Sequence, residues 1–262
     1  MRRNKYSLLR VISMIAFLLL WQAFSMLNKR VEIMNPNFMP GPYDIILTML
    51  QYIREGTFFS SVGSSLQRVL KGFFIGSIIA MVLGYFMAKH PVIENILDPV
   101  FSAVGSIPTY AFMPLFIIWF GIGERTKIIM IVYSTALPLL TYIIQGIKSV
   151  DPILIRSAMS LGANELQVFF NVIIKSAMPH ILTGMEVSLG LTFSALIVAE
   201  MMGADSGLGY IIVFSRNWFK VADMFMAMAC IGILYSILKG ILTLIKKRVL
   251  RWQMTSFDNA VE

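Results

Sequence analysis

The sequence is poor in the residues that carry covalent or metal chemistry. Its one cysteine, Cys230, lies in an apolar run, which excludes an internal disulfide and reads as a small buried hydrophobe. Its two histidines, His90 and His180, stand apart, with no second ligand at a spacing that would hold a metal. No Walker A sequence, Gly-x-Ser-x-Gly elbow or His-Glu-x-x-His helix occurs, so no motif for nucleotide hydrolysis or other enzymatic chemistry is present and no cofactor is expected in this chain. The net charge of +8 comes from 22 basic and 14 acidic residues, but no basic groove with stacking aromatics accompanies it, which argues against nucleic acid.

What the chain has instead is apolar sequence in long runs. Hydrophobic residues make up 57% of it, against about 45–50% in soluble domains, and the mean hydropathy is +0.76. Such runs mean a membrane protein. They predict an all-α protein with about six spans, near residues 11–27, 64–87, 100–120, 127–147, 181–201 and 223–245, with an internal loop that Lys89, His90 and Pro91 begin and that ends near Pro99, and an external loop over residues 202–219. Basic residues gather at Arg2, Arg3, Lys5 and Arg10 before the first run, and at Lys246, Lys247, Arg248 and Arg251 after the last. By the positive-inside rule both termini are expected in the cytoplasm. The first run is read as an uncleaved anchor, although Ala23-Phe24-Ser25 has the small residues of a signal-peptidase site. The expected organisation is an anchor and external amphipathic segment over 1–56, a membrane core over 57–250, and a cytoplasmic tail over 251–262.

Within the spans, three features stand out. Gly72, Gly76, Ala80 and Gly84 recur every four residues, a small-residue face of the kind that lets helix backbones approach in lipid. Pro108 and Pro114 interrupt the third run, freeing backbone carbonyls that lipid would not tolerate, so that span is expected to face protein or a cavity. Ser134, Thr135, Glu186, Ser188, Thr192 and Ser194 are candidates for a polar path. Each hydroxyl alone is more often an interhelical hydrogen bond, and Glu186 and Glu200 are more often structural or interfacial than functional, although an ionisable residue in a span is a functional candidate by default.

Residues 151–179 form a polar stretch set among apolar ones. Asp151 suits a helix N-cap and Pro152 the first helical position. Gly162 is placed to end that helix in a left-handed cap. Asn164 and Gln167 have the spacing of a capping box for a second helix, whose apolar face is Leu166, Phe169, Phe170 and Ile173. Pro179 is read as closing the unit.

This stretch resembles the cytoplasmic EAA loop of ABC-importer permeases, roughly E-A-A-x-x-x-G, a spacer of about nine residues, then an apolar residue and Pro. Arg156, Ser157, Ala158 and Gly162 stand in the first places, with Met178 and Pro179 at the end. Arg156 and Ser157 replace the family's glutamate and first alanine. Supporting similarities to the nitrate, sulfonate and taurine permeases run from about residue 40 to 244. They are Met39-Pro40-Gly41-Pro42, the Ser65-Leu66, Arg68 and Gly72 pattern, Ile107-Pro108 with Trp119-Phe120-Gly121, and residues 203–209, GADSGLG.

The resemblance implies a type I ABC-importer permease fold in a bacterial-type inner membrane. It implies a homodimer, an external solute-binding protein, and separate cytoplasmic ATPase subunits that hold the ATP and Mg. It makes the loop a coupling helix, with Arg156, Ser157, Ala158, Met159, Leu161, Gly162 and Ala163 against the ATPase. Two other classes compete. An ion-coupled carrier would need carboxylates at mid-membrane, where only Glu186 is arguably placed. A non-transporting scaffold gives no reason for paired helices around Gly162.

Overall fold

The computed structural model describes residues 2–252. Among them the regular elements are helical: α1 (Arg2–Val31), α2 (Pro42–Arg54), α3 (Thr57–Lys89), α4 (Pro91–Gly105), α5 (Met113–Phe120), α6 (Glu124–Lys148), α7 (Pro152–Ser160), α8 (Glu165–Val168), α9 (Ile174–Gly203), α10 (Leu208–Asn217) and α11 (Val221–Val249). A π turn, Phe169–Ile173, makes α8 and α9 one continuous rod, Glu165–Gly203. Among the described residues five helices are long and apolar enough to cross a membrane, or six if the bent pair formed by α4 and the segment Thr109–Phe120 counts as one span. Most of the expected tail, residues 253–262, lies outside the described residues.

The chain divides into two compact units. One joins residues up to Ser65 with Ala204–Gly232; the other joins Leu66–Gly203 with the residues from Ile233 on.

In the first unit, polar side chains of α1 hold the segment that follows it. Ser25 is fully buried and donates to the Met39 carbonyl at 3.0 Å. Asn28 is also fully buried, and its Oδ1 accepts from the Met34 amide at 3.0 Å. Gln22 Oε1 accepts from the Tyr43 amide at 2.9 Å. Gly41 passes so close that a β-carbon there would sit 2.8 Å from that Gln22 oxygen, which accounts for glycine between Pro40 and Pro42. Asp44 then caps α2 by accepting from the Gly41 amide at 2.8 Å, while Lys29 holds its carboxylate at 2.7 Å.

The second unit is built on α3, α6 and α9. A β-carbon at Gly72 would lie 2.3 Å from Ile131, one at Gly76 2.8 Å from Thr135, and one at Gly84 2.5 Å from Ile143. Ala80, fully buried, packs with Leu139, Leu140 and Ile143. The four small residues thus seat α3 on one face of α6. On another face α9 approaches as closely. Gly146 of α6 faces His180, and Gly184 of α9 faces Tyr142. Gly76→Leu or Gly84→Leu is expected to destabilise the protein by roughly 1–3 kcal/mol through overpacking, seen as a lower melting temperature in detergent with normal membrane insertion. Wild-type melting in both variants would contradict the α3–α6 contact.

Four expected features are corrected. Residues 91–99 were expected to be a loop leading to a single third span, but Pro91–Gly105 is one helix with Pro99 inside it. Pro91 fits the first helical position, and Ile93, Leu97 and Phe101 recur every four residues to pack against the core around α6. The third span is not one rod. It bends by 91° between α4 and the Thr109–Phe120 segment, because Pro108 offers no amide and disfavours helical geometry at Ile107. Residues 202–219 were expected to be an external loop, yet Leu208–Asn217 is a helix with Leu208, Ile211, Ile212 and Ser215 buried at helical spacing. Pro179 does not close a unit either; it lies inside α9, where Thr183 Oγ1 donates to its carbonyl at 2.8 Å.

Candidate functional site

The stretch 151–179 folds as one short helix, α7, a turn at Gly162, and the first turns of the Glu165–Gly203 rod, so the second helix is not the short one expected. Asp151 Oδ1 accepts from the Ile153 amide at 2.8 Å, capping α7. At the other end Gly162 has φ +87°, its amide donates to the Met159 carbonyl at 3.0 Å, and the Ala163 amide donates to the Ala158 carbonyl at 3.1 Å. This pair of bonds is a Schellman motif. A β-carbon at Gly162 would meet nothing within 4 Å. Backbone conformation, not space, therefore demands glycine there. The α8 capping box is complete: the Gln167 amide donates to Asn164 Oδ1, and Gln167 Oε1 accepts from the Asn164 amide, both at 2.9 Å.

The loop is anchored on its inner side. Val168 is buried, and the Phe169 ring meets Tyr85 of α3 edge-on at 4.7 Å. Its other side is open. Arg156, Ser157, Met159, Leu161 and Gly162 are exposed, and Ala158 and Ala163 are half-buried. Ile153, Leu154, Met159 and Leu161 are exposed apolar side chains along α7 and its C-terminal end, Leu161 being 89% exposed. Four apolar residues held outward by two capped helix ends suit docking to another surface.

The polar-path candidates separate into two groups. Thr135, Ser188 and Thr192 are fully buried in the contact between α6 and α9 rather than along an open path. Thr135 and Thr192 hydroxyls lie 2.7 Å apart, and each bonds a carbonyl of its own helix at 2.8 Å. Ser188 Oγ is buried without a hydrogen-bond partner. Glu186 pairs with Lys246 of α11 at 3.0 Å. Ser134 and Ser194 line a cavity of about 300 Å³ beside the bend at Pro108.

A charged cluster that sequence reasoning did not assemble sits in the same unit. Arg68 of α3, 5% exposed, donates to Glu200 of α9, 1% exposed, at 2.7 Å. The same guanidinium grips Glu124 of α6 through Nε at 2.9 Å and Nη2 at 2.7 Å, and Lys127 holds Glu124 at 2.8 Å. The available signal was one arginine and two carboxylates at the corresponding ends of three apolar runs.

The first unit has its own cavity, of about 890 Å³, partly lined by Lys29, Asp44, Tyr52, Glu55, Asp205, Lys220 and Asp223. Tyr52 donates to Asp223 at 2.9 Å; burial, then this carboxylate, pushes the phenol up to about 12. Burial tends to raise the Asp44 carboxyl, but the hydrogen bond from Lys29 and that from the Gly41 amide outweigh it and hold it below its ordinary value. No group of three or more metal-ligating side chains occurs among the described residues.

Long apolar helices, one bent pair that counts as a broken span, and an outward helix–glycine–helix loop are features of a protein set in a membrane. Residues 72–253 match the family described as binding-protein-dependent transport system inner membrane component, and the chain belongs to that family. It is 33% identical over 228 residues to the taurine transport system permease protein TauC of Escherichia coli (strain K12), covering 85% of this chain and 82% of the relative. To SsuC of Bacillus subtilis (strain 168), named for aliphatic sulfonates transport, it is 29% identical over 252 residues, covering 96% and 90%. A crystal structure of an amino acid ABC transporter with histidines shares the fold at TM-score 0.63 and 19% identity, over 77% of this chain and 97% of that one.

Proposed function

We propose that this chain is the membrane path of an ATP-driven importer, moving a small polar or anionic solute of the sulfonate or taurine class that an external binding protein delivers. The observation that carries this reading is the set of exposed apolar side chains on α7 and at its end beside Gly162. Two copies of the chain form the path, and two cytoplasmic ATPase subunits bind ATP and Mg. Each α7 lies in a groove of an ATPase and is moved when the ATPase pair closes. Arg156, Ser157, Ala158, Met159, Leu161, Gly162 and Ala163 make that contact. Arg156 stands where the family has a glutamate and meets an acidic or carbonyl-rich patch.

An ion-coupled carrier is less well supported, since Glu186 is paired with Lys246. The chain lies in the inner membrane with both termini and the 151–179 loop in the cytoplasm. The test is labelling of single cysteines placed at Ser160 and at Asp205 in intact cells by an impermeant thiol reagent. Labelling at Asp205 and none at Ser160 is expected; the reverse pattern would overturn the orientation. The ATPase should copurify with the tagged chain and be lost with Ala158→Asp.

A further inference from the structure

The charged cluster of the second unit is balanced from its surface. Its buried members are Arg68, 5% exposed, Lys127, 4%, and Glu200, 1%. Two cations and one carboxylate leave that buried part with one positive charge. The balancing negative charge is on Glu124, whose side chain is 56% exposed. A buried cation needs a paired anion. Here the pairing anion sits on a side chain that also faces water.

Three charged donors converge on that carboxylate. Arg68 Nε donates to Glu124 Oε2 at 2.9 Å, and Arg68 Nη2 donates to Oε1 at 2.7 Å. Lys127 Nζ donates to the same Oε1 at 2.8 Å. Two oxygens thus serve three donors. Arg68 Nη1 is tied to Glu200 at 2.7 Å, so the guanidinium is aimed by a contact that Glu124 does not make. Glu124 is the first residue of α6, and the N-cap before it is Gly123, which offers no capping side chain. A β-carbon at Gly123 would meet nothing within 4 Å. The positive end of a 25-residue helix therefore lies open at this corner and favours an anion there. The hollow beside Gly123, Thr126 and Lys127 measures about 10 Å³, room for about one water. An anion does not fit alongside the carboxylate; it has to replace it.

We propose that Arg68, Lys127 and the N-terminal end of α6 form a binding site for a small tetrahedral oxyanion, and that Glu124 is its exchangeable plug. A sulfonate or phosphate group brings one oxygen to each of the three donors, where the carboxylate must use one oxygen twice. On exchange Glu124 turns outward as a hydrated carboxylate, and the incoming anion keeps the buried charge paired. Exposed ion pairs contribute only about 0–1 kcal/mol, so the plug yields while the buried Arg68–Glu200 pair stays. The site does not depend on the importer reading, and it holds its anion whether or not that anion is transported.

The test uses the full chain purified in detergent. Its melting temperature is followed against methanesulfonate and, separately, acetate, with sodium chloride keeping the ionic strength constant. Methanesulfonate is expected to raise the melting temperature of the wild type in a saturable way, and acetate to do so far less. Glu124→Ala should show the methanesulfonate rise at about a tenfold lower concentration, equivalent to 1.4 kcal/mol, because no plug competes. Glu124→Gln keeps the shape and drops the charge; its midpoint should fall between those two, and it serves alone if Glu124→Ala does not accumulate. Lys127→Met strands no buried charge, since its carboxylate partner is exposed, and should abolish the rise with or without Glu124. No rise in the wild type, equal midpoints in the wild type and the Glu124 variants, an equal response to acetate, or a rise that survives Lys127→Met each overturns the proposal.

Discussion

Gly162→Val and Ala158→Asp are each expected to abolish ATP-driven uptake while the chain still inserts and its free ATPase still hydrolyses ATP. Gly162 holds φ +87° at the end of α7. A residue with a β-carbon pays roughly 1–2 kcal/mol to stay left-handed, and a β-branched one is an outlier there. The cheaper response is to move the backbone, which breaks the two bonds at Met159 and Ala158 and re-aims α7. Ala158 acts differently. It is half-buried next to exposed Met159, and a carboxylate there sets a charge among the apolar side chains proposed to meet the ATPase. Arg156→Glu should weaken coupling less, and a matching basic substitution on the ATPase should restore it. Uptake near the wild-type rate with both Gly162→Val and Ala158→Asp would remove the loop from the mechanism.

The second large effect is expected at Arg68. Arg68→Met leaves the Glu200 carboxylate, 1% exposed, without the guanidinium 2.7 Å away. Breaking a buried ion pair by removing one partner costs about 3–5 kcal/mol. The arm to Glu124 contributes less, since that side chain is 56% exposed. The protein should melt far lower in detergent or fail to accumulate. Arg68→Lys should recover only part of the loss, because an ammonium cannot make the forked contact with Glu124. Arg68→Met with Glu200→Met should recover more than either single change, since two apolar side chains remove the stranded charge. A single Arg68→Met protein as stable as wild type would show that the cluster does not hold α3, α6 and α9 together.

What could be read from the sequence and what could not divide by range. The ends of α7 and α8 depend on neighbours within a few residues, so Asp151, Gly162, Asn164 and Gln167 reveal them directly. The small-residue period on α3 is likewise local, though its partner α6 is not named by it. The Arg68–Glu200 pair spans 132 positions and leaves no spacing to recognise. Prolines misled in both directions. Pro91 and Pro99 suggested a loop where Ile93, Leu97 and Phe101 carry a helix, and Pro179 suggested a stop where α9 continues. At Pro108 the chain does break, and the resulting 91° bend opens the cavity. The hydroxyls of α6 and α9 could not be sorted by sequence, because helix rotation decides which of Ser134 and Thr135 faces the cavity and which faces Thr192.

The central claim is that this chain conducts a solute only when a separate ATPase drives it and a separate binding protein feeds it. The direct measurement is accumulation of radiolabelled 2-aminoethanesulfonate in proteoliposomes holding this chain and its ATPase, with ATP and Mg inside or outside on the ATPase face and binding protein on the other. Accumulation against a gradient that stops when ATP, the ATPase or the binding protein is omitted is the expected result. Accumulation driven by a proton or sodium gradient with the ATPase left out would contradict it.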